Sequence, residues 1–237
     1  MERLAKTARP VDSSDSEEDK KKSKNKSLIK KSASPAITNP KTSSKGSFLS
    51  LEASMNDVSF RVFKNDAFVC IRDKYPKAKT HLLLIPLLPK KLFKVEQVIQ
   101  MPNAIEFLKS FRTTADEIIE KLGNLKKEQL IIGFHAVQSM QPLHMHIISD
   151  DFKSEYLKNK KHWNSFTSDY FIKLDDFINH LENGLDNMKQ DYFKGDKFNL
   201  KNRTQLDNYL KLDLKCHKCK KDFKNIPSLK SHLNTHD

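Results

Sequence analysis

Four residues near the C-terminus have the types and spacing of a metal site. They are Cys216, Cys219, His232 and His236, in the pattern Cys-x2-Cys-x12-His-x3-His. Two thiolates on a tight turn and two imidazoles one helical turn apart converge on a single tetrahedral ion, and zinc suits that donor set. Phe223 and Leu229 stand where a unit this small needs apolar packing, and Pro227-Ser228 reads as a helix start. Such a unit has almost no core of its own, so metal binding supplies most of its folding free energy. The full spacing is specific enough to outweigh a chance meeting of two Cys and two His. His217 lies between the cysteines and is not required by the spacing. Lys215, Lys218, Lys220, Lys221, Lys224 and Lys230 crowd the same segment and suggest phosphate contacts, with Lys215 and Lys218 as candidate DNA contacts. A single C2H2-type zinc finger covers only about three base pairs, so it suits positioning on DNA better than choosing a sequence.

A second set of imidazoles lies upstream, in Pro142-Leu-His-Met-His-Ile-Ile-Ser149. A strand's period of two puts His144, His146 and Ile148 on one face and Leu143, Met145 and Ile147 on the other. If the preceding strand pairs with this one through the Gln138–Gln141 loop, His135 reaches the same opening. Three imidazoles can bind a metal. They can also form a phosphate-transfer site, because a neutral imidazole is a competent nucleophile near pH 7. Such a site needs cations and hydrogen-bond donors around the phosphate oxygens, and Leu157-Lys-Asn-Lys-Lys-His-Trp163 supplies basic residues. Ordinary packing is the third reading of two strand histidines, and pattern alone does not separate the three.

The elements that must carry these residues are legible as an α+β domain with an antiparallel sheet. Ser59–Phe63 and Ala67–Arg72 read as strands around an Asn65-Asp66 turn, and Lys79–Ile85 as a third. Residues 93–122 carry helical spacing through Ile105, Leu108, Phe111 and Ile118. Gln129–Val137 and Leu143–Ser149 read as two further strands. A helix is expected from Ser168, with Phe171, Leu174, Ile178 and Leu181 on one side. The domain would span 48–190, followed by a basic segment, 191–237, with the finger at 216–236. Residues 1–47 hold no aromatic residue; an acidic patch (Asp12 to Asp19) precedes a basic one (Lys20 to Lys31), and the composition reads as a disordered tail. Lys20-Lys-Lys-Ser-Lys-Asn-Lys26 reads either as a nuclear import signal or as a solvated tether.

Of 237 residues, 43 are Lys or Arg and 30 are Asp or Glu, a formal charge of +13, which favours a polyanionic partner. The most apolar stretch, His81 to Pro89, is too short to span a bilayer and is broken by proline, so no membrane role is expected. The charged N-terminus has no apolar segment of the secretory kind. Three cysteines outside a secretory context argue against a disulfide framework and for a reducing compartment, nucleus or cytoplasm. Cys70, mid-strand, reads as buried and inert, and Trp163 as a packing residue. His81 and His162 read as structural or hydrogen-bonding. Lys77 reads as a surface lysine or, on the resemblance given next, as a brace of the nucleotide pocket.

The stretch from Gly133 to Phe152 resembles the motif of the histidine-triad (HIT) hydrolases. Leu157 to Phe166 is similar to the aprataxin branch specifically, as is Asp73-Lys-Tyr-Pro-Lys-Ala78 followed by His81 and Ile85-Pro86. The resemblance runs from about Phe48 to the C-terminus, finger included, and looks like the short, fungal-type architecture without a forkhead-associated domain. It implies a HIT-fold DNA deadenylase. The enzyme would remove AMP from the 5′-phosphate ends that abortive ligation leaves at nicked or broken DNA, in single-strand break repair. Carried over by position, His144 is the nucleophile and forms an adenylyl-histidine. His146, His135 and Lys158 bind the phosphate oxygens, and Ser139 donates to the same phosphate. Asp73 holds the ribose hydroxyls, with Ser139 and His146 completing the AMP site, and Lys161 touches DNA. Phe48 lies about where the family places an aromatic wedge on the exposed base pair at a DNA end. Zinc is structural, in the finger, and no cofactor is expected in the catalytic site. The chain departs from the family at Pro142, which stands where the first triad histidine belongs and removes one polar support.

Two other functions stay open on this reading. One is a HIT hydrolase of free nucleotides such as dinucleoside polyphosphates or AMP-lysine, against which the finger and the lysine excess argue. The other is a non-enzymatic zinc-finger DNA-binding protein, which Pro142 keeps in play. RNA–DNA junctions and 3′-guanylated ends are further candidate substrates. A monomer is expected, because DNA needs an open face, and the nucleus is the expected location, the cytoplasm also being open to it.

Overall fold

Alternating side chains build the central sheet. In β3 (Phe68–Arg72) and β4 (His81–Pro86), Val69, Ile71, Leu83 and Ile85 face one way, and Phe68, Cys70, Leu82 and Leu84 the other. The computed structural model describes residues 49–88, 90–183, 193–194, 197–198 and 203–236. The tail expected over 1–47, and Phe48, lie outside the described residues. Six strands pair antiparallel in the order β2-β3-β4-β7-β5-β8, with β2 at Arg61–Lys64, β5 at Leu130–His135, β7 at Met145–Ser149 and β8 at Phe171–Lys173. The turn from β2 to β3 is the expected one: the Asn65 Oδ1 accepts from the N–H groups of Ala67 (2.9 Å) and Phe68 (2.7 Å), a side chain closing its own turn.

One face of the sheet is covered by helices. α3 (Ala104–Leu122) buries Phe107, Leu108, Phe111, Ala115 and Ile118, a spacing of three and four that makes one apolar stripe. It ends at Gly123, whose φ of 65° is left-handed and whose N–H caps the Ile119 and Glu120 carbonyls. Phe111 is fully buried against Phe68, Phe107 and Phe134, and one such side chain contributes about 1.5–3 kcal/mol. α5 (Leu174–Asn183) adds Leu174 and Phe177 to the same core, and α6 (Arg203–Tyr209) adds Leu206 and the following Leu210.

The other face carries α4 (Lys160–Thr167) and a second apolar cluster. Phe152, Trp163, Phe166 and Phe171 meet Leu214, Cys216, Ile226, Leu229 and Leu233 there. The last group belongs to β11 (Leu214–Lys215), its loop and α7 (Ile226–Leu233), with β12 (Asp222–Phe223) pairing β11. The Trp163 Nε1 donates to the Lys215 carbonyl at 3.0 Å, and the residue is 1% exposed, so it packs as expected.

Several boundaries differ from expectation. The helical spacing over 93–122 is two helices, α2 (Val95–Ile99) and α3, interrupted at 100–103 around Pro102, which cannot sit inside a helix. The expected helix from Ser168 starts six residues later. Phe171–Lys173 instead adds β8 to the edge of β5, so Phe171 faces the second cluster while Leu174, Ile178 and Leu181 keep to the helix side. Sheet pairing overrides helical periodicity in such a short β-branched and aromatic run. Gly133 permits that pairing: a Cβ there would lie 2.1 Å from the Ile172 carbonyl oxygen. Among the described residues no helix is long and apolar enough to cross a membrane.

Candidate functional site

Strand register brings four histidines to one face of the sheet. Gly133 of β5 and Leu83 of β4 both lie opposite His146 of β7, and His81 lies opposite Ile148. His135 ends β5, two residues past Gly133. The His146 ring centroid is 4.3 Å from that of His135, 5.0 Å from His144 and 5.2 Å from His81. Phe166 of α4 closes over them, 4.7 Å from His135, 5.3 Å from His146 and 5.4 Å from His81. Leu143, Met145 and Ile147 turn to the opposite core, as the alternation required.

Hydrogen-bond partners assign the tautomers. The His144 Nδ1 lies 2.9 Å from the Pro142 carbonyl, which only accepts. The proton is therefore on Nδ1, and Nε2 keeps its lone pair. The Lys77 N–H donates to the His81 Nδ1 at 3.1 Å, which places the His81 proton on Nε2. That nitrogen lies 2.9 Å from the His146 Nδ1 and donates to it. The His146 proton is then on Nε2, which is enclosed without a partner, as is the His135 Nε2. The site thus holds one free lone pair on His144 and one unused donor on His146, with His135 beside them.

Burial is the largest cause of every shift among these imidazoles, and it lowers each pKa. His81 is brought down to about 4, against a weaker upward pull from Asp73. His135 and His146 lie well below the ordinary value, pushed further by neighbouring histidines and by Lys77. His144 is lowered by burial, opposed by its Pro142 bond and by Asp73. All four are neutral near pH 7, the form in which His144 can attack.

The other sequence-expected residues sit around this centre. The Asp73 Oδ1 accepts from the Tyr75 N–H at 2.7 Å, and its Oδ2 is 3.7 Å from the His81 Nδ1. Asp73 also borders a cavity of about 250 Å³ with Arg72, Lys79 and Thr80. Ser139 is exposed on the loop between β5 and β7. Lys158 is exposed: its N–H donates to the His162 Nδ1 (3.2 Å) and its Nζ stands 5.8 Å over the Tyr156 ring. Lys161 is exposed in the first turn of α4, which the Asn159 side chain caps. Lys215 and Lys218 are ion-paired within the protein, to Asp222 (2.7 Å) and Asp150 (3.4 Å). Such surface pairs contribute about 0–1 kcal/mol, so a phosphate can replace either partner. Cys70 is fully buried and its thiol is pushed up to about 12, which makes it inert.

Three contributors were not assigned to the histidine site by motif or spacing. Gln138 is buried and donates from Nε2 to the His144 carbonyl at 2.9 Å. Phe166 forms the wall over three of the histidines. His81 reads from sequence only as structural or hydrogen-bonding, and it proves to be the partner of His146. Its position on β4, one strand from the motif, was the available signal.

In the finger, single ligand atoms from Cys216, Cys219, His232 and His236 all lie within 4.8 Å of one another. The Cys219 Sγ is 3.1 Å from the His232 Nε2, and the Cys216 Sγ is 3.4 Å from the His236 Nε2. Two sulfurs and two imidazole nitrogens at these separations fit a tetrahedral zinc ion. His217 points elsewhere, meeting Phe152 and Trp163 edge to face, and is no part of that set.

Comparison with known proteins agrees with this arrangement. Residues 50–162 match the family described as scavenger mRNA decapping enzyme C-term binding, and residues 167–236 match the C2HE / C2H2 / C2HC zinc-binding finger. Aprataxin of Danio rerio is 40% identical over 186 residues, which are 78% of this chain and 52% of that protein. The aprataxin-like protein of Saccharomyces cerevisiae is 32% identical over 207 residues, covering 76% of this chain and 88% of the other. The crystal structure of the aprataxin ortholog Hnt3 in complex with DNA is 28% identical, with a TM-score of 0.57 over 78% of this chain and 89% of that one. The chain spans about half the length of the aprataxins of Danio rerio and Ciona intestinalis that it matches. Fold, histidine site and finger occur here together in one sequence of that kind, and the chain belongs to the aprataxin family.

Proposed function

We propose that the chain is a DNA 5′-adenylate hydrolase, acting through a covalent adenylyl-histidine. The observation that carries the reading is the pair of assigned tautomers: a lone pair on the His144 Nε2 beside an enclosed, unused donor on the His146 Nε2. In this reaction the His144 Nε2 attacks the AMP phosphorus, the P–O bond to the DNA 5′-phosphate breaks, and the DNA end leaves as its phosphate. Water then attacks the same phosphorus, the P–N bond breaks, and AMP departs. The His146 Nε2–H donates to a non-bridging oxygen, where charge grows in the transition state; one such donor is worth about 10²–10³ in rate. His135 lines the same phosphate site, and Ser139 donates to it from the loop. Asp73 takes the ribose hydroxyls.

Lys158 and Lys161 flank the first turn of α4, where free N–H groups and the helix dipole favour phosphate. With Lys215, Lys218 and the +13 charge they support a DNA strand running from α4 toward the finger. The finger holds structural zinc and keeps the DNA end in place. Phe48 would act as the wedge on the terminal base pair. Hnt3, a relative of similar fold, has been solved with DNA, which supports the same partner here, with RNA–DNA junctions as a second adenylated end. The Lys20–Lys26 run supports a nuclear location, and the open DNA face supports a monomer.

The test uses a nicked duplex bearing a 5′-adenylate. Quenching in alkaline denaturant during turnover, where the P–N bond of an adenylyl-histidine survives, should trap AMP on the peptide that contains His144, and His144→Ala should release no AMP. Faster turnover of dinucleoside polyphosphates or AMP-lysine than of the adenylated nick would sink the DNA reading. An active His144→Ala protein would refute the nucleophile.

A further inference from the structure

We propose that Tyr75 and Tyr156 form a stacking platform for an unpaired nucleobase of the DNA strand, on the rim of the histidine pocket. This rests on the DNA reading above and extends it to two residues, Tyr75 and Tyr156, to which the sequence assigned no role. The two rings meet edge to face, with centroids 5.5 Å apart and planes at 66°. Tyr75 is 54% exposed, while His144 is 1% exposed. A T-shaped pair occupies at most one face of each ring, so a face remains for a third ring. The Lys74 Nζ stands 5.8 Å from the Tyr75 centroid, and the Lys158 Nζ stands 5.8 Å from that of Tyr156. An exposed ring, Tyr75, beside a half-buried one, Tyr156, with lysines interleaved, suits single-stranded nucleic acid, whose bases stack while its phosphates meet the cations.

The platform is held in place from beneath. The Asp151 carboxylate accepts from the Lys79 N–H (3.2 and 3.3 Å), from the Lys153 N–H (3.0 Å) and from the Ser149 hydroxyl. One carboxylate therefore ties the loop carrying Tyr75 to the loop carrying Tyr156. The Tyr75 N–H is fixed by Asp73 (2.7 Å), and the Tyr156 N–H by the Ser154 Oγ (3.1 Å). The Lys230 Nζ of α7 donates to the Ser154 carbonyl at 2.7 Å, so the finger also grips this loop. Both loops reach the pocket as well: Lys77, two residues past Tyr75, binds His81, and Lys158, two residues past Tyr156, binds His162 of α4. AMP must place its phosphorus at the buried His144, so the exposed Tyr75 ring, with the half-buried Tyr156 ring beside it, is left for the part of the substrate that extends outward. That part is the strand beyond the adenylated phosphate.

Full-length protein would be titrated into a 5′-phosphorylated duplex with a frayed end, carrying 2-aminopurine at its first or second nucleotide. Wild type and Tyr75→Phe should quench the probe equally, since both keep the ring. Tyr75→Leu and Tyr156→Leu should lose most of the quenching and bind roughly 5- to 100-fold more weakly, the effect of one lost base stack. Thermal melting of each variant at the wild-type temperature would establish that the fold is intact. Wild-type quenching and affinity in both leucine variants would overturn the platform, as would a phenylalanine variant as weak as leucine. Wild-type protein that quenches this probe but releases no AMP from an adenylated nick would refute the enzyme reading and leave the platform standing.

Discussion

The His144 Nδ1 and the Pro142 carbonyl oxygen are 2.9 Å apart, so the group that orients the proposed nucleophile belongs to the backbone. The family resemblance implies a histidine at this position, and the missing imidazole suggested a weakened site. Every residue has a carbonyl, however, and proline supplies this one as well as histidine would. The support lost from the side chain is not the one the His144 Nδ1 uses. Pro142→His should therefore change the deadenylation rate by less than about tenfold, or 1.4 kcal/mol. Single-turnover rates on an adenylated nick measure this, and a gain of several hundredfold would mean that the wild-type site is crippled by its proline.

His81 and His146 offer a sharper test, because their relationship is a direction of donation. With Lys77 donating to the His81 Nδ1, the His146 proton is forced onto Nε2, toward substrate. Two-bond proton–nitrogen spectra of ¹⁵N-histidine protein should show His146 with a protonated Nε2 and His144 with a protonated Nδ1. His81→Leu removes the donor and frees the His146 tautomer. The rate on adenylated DNA should fall by roughly 10²-fold, the loss of one oriented phosphate donor, with KM little changed. An unchanged His146 spectrum in that variant would remove the relay.

How much of this was legible in the sequence differs by residue. Alternation from Leu143 to Ile148 set two faces correctly, because a strand's period is local and each side chain chose its face by polarity. The finger was legible for the same reason: its ligands lie within 21 residues, from Cys216 to His236. His81 was not, since its meeting with His146 depends on β4 lying beside β7, a pairing 65 residues apart. Phe166 and Gln138 stood within the motif stretches but received no role, because their contacts with the histidines depend on how α4 and a loop fold back over the sheet. Phe171 was misjudged because a three-residue edge strand shows too little alternation to compete with helical spacing.

The four buried imidazoles make stability depend on pH in a definite direction. Each has a pKa below the ordinary 6.5 in the folded protein, about 4 for His81. Between those values the unfolded chain binds protons that the folded chain excludes. The stability they permit is complete above pH 6.5 and declines as pH falls toward 4, each group adding a slope of up to about 1.4 kcal/mol per pH unit. Melting temperature should thus be flat from pH 8 to 7 and fall steeply below 6.5, and less steeply in His81→Leu. The rate should follow the same sense: because the His144 pKa is lowered, its acid limb should fall below pH 6.5. A limb above that value would mean that His144 titrates as if exposed.

Trp163 links the finger to the histidines and is the single tryptophan of the chain, so it reports on metal removal. Its Nε1 holds the Lys215 carbonyl, one residue before the ligand Cys216, and its ring shares a cluster with Leu214, Leu229 and Leu233. Phe166, on the same helix, walls the histidine pocket. Without zinc the finger keeps two thiols and two imidazoles but no ion to join them, and a unit with so small a core unfolds. Chelation should therefore shift Trp163 emission to the red as its ring meets water. Losing roughly 3 kcal/mol of packing should lower the melting temperature by about 6–12 °C for a chain of this size. Cys219→Ser should behave alike, and zinc should restore the chelated wild type but not the variant. Complete removal of zinc with unchanged Trp163 emission would show that the finger and α4 hold their contact without the metal, and that the catalytic face does not depend on it.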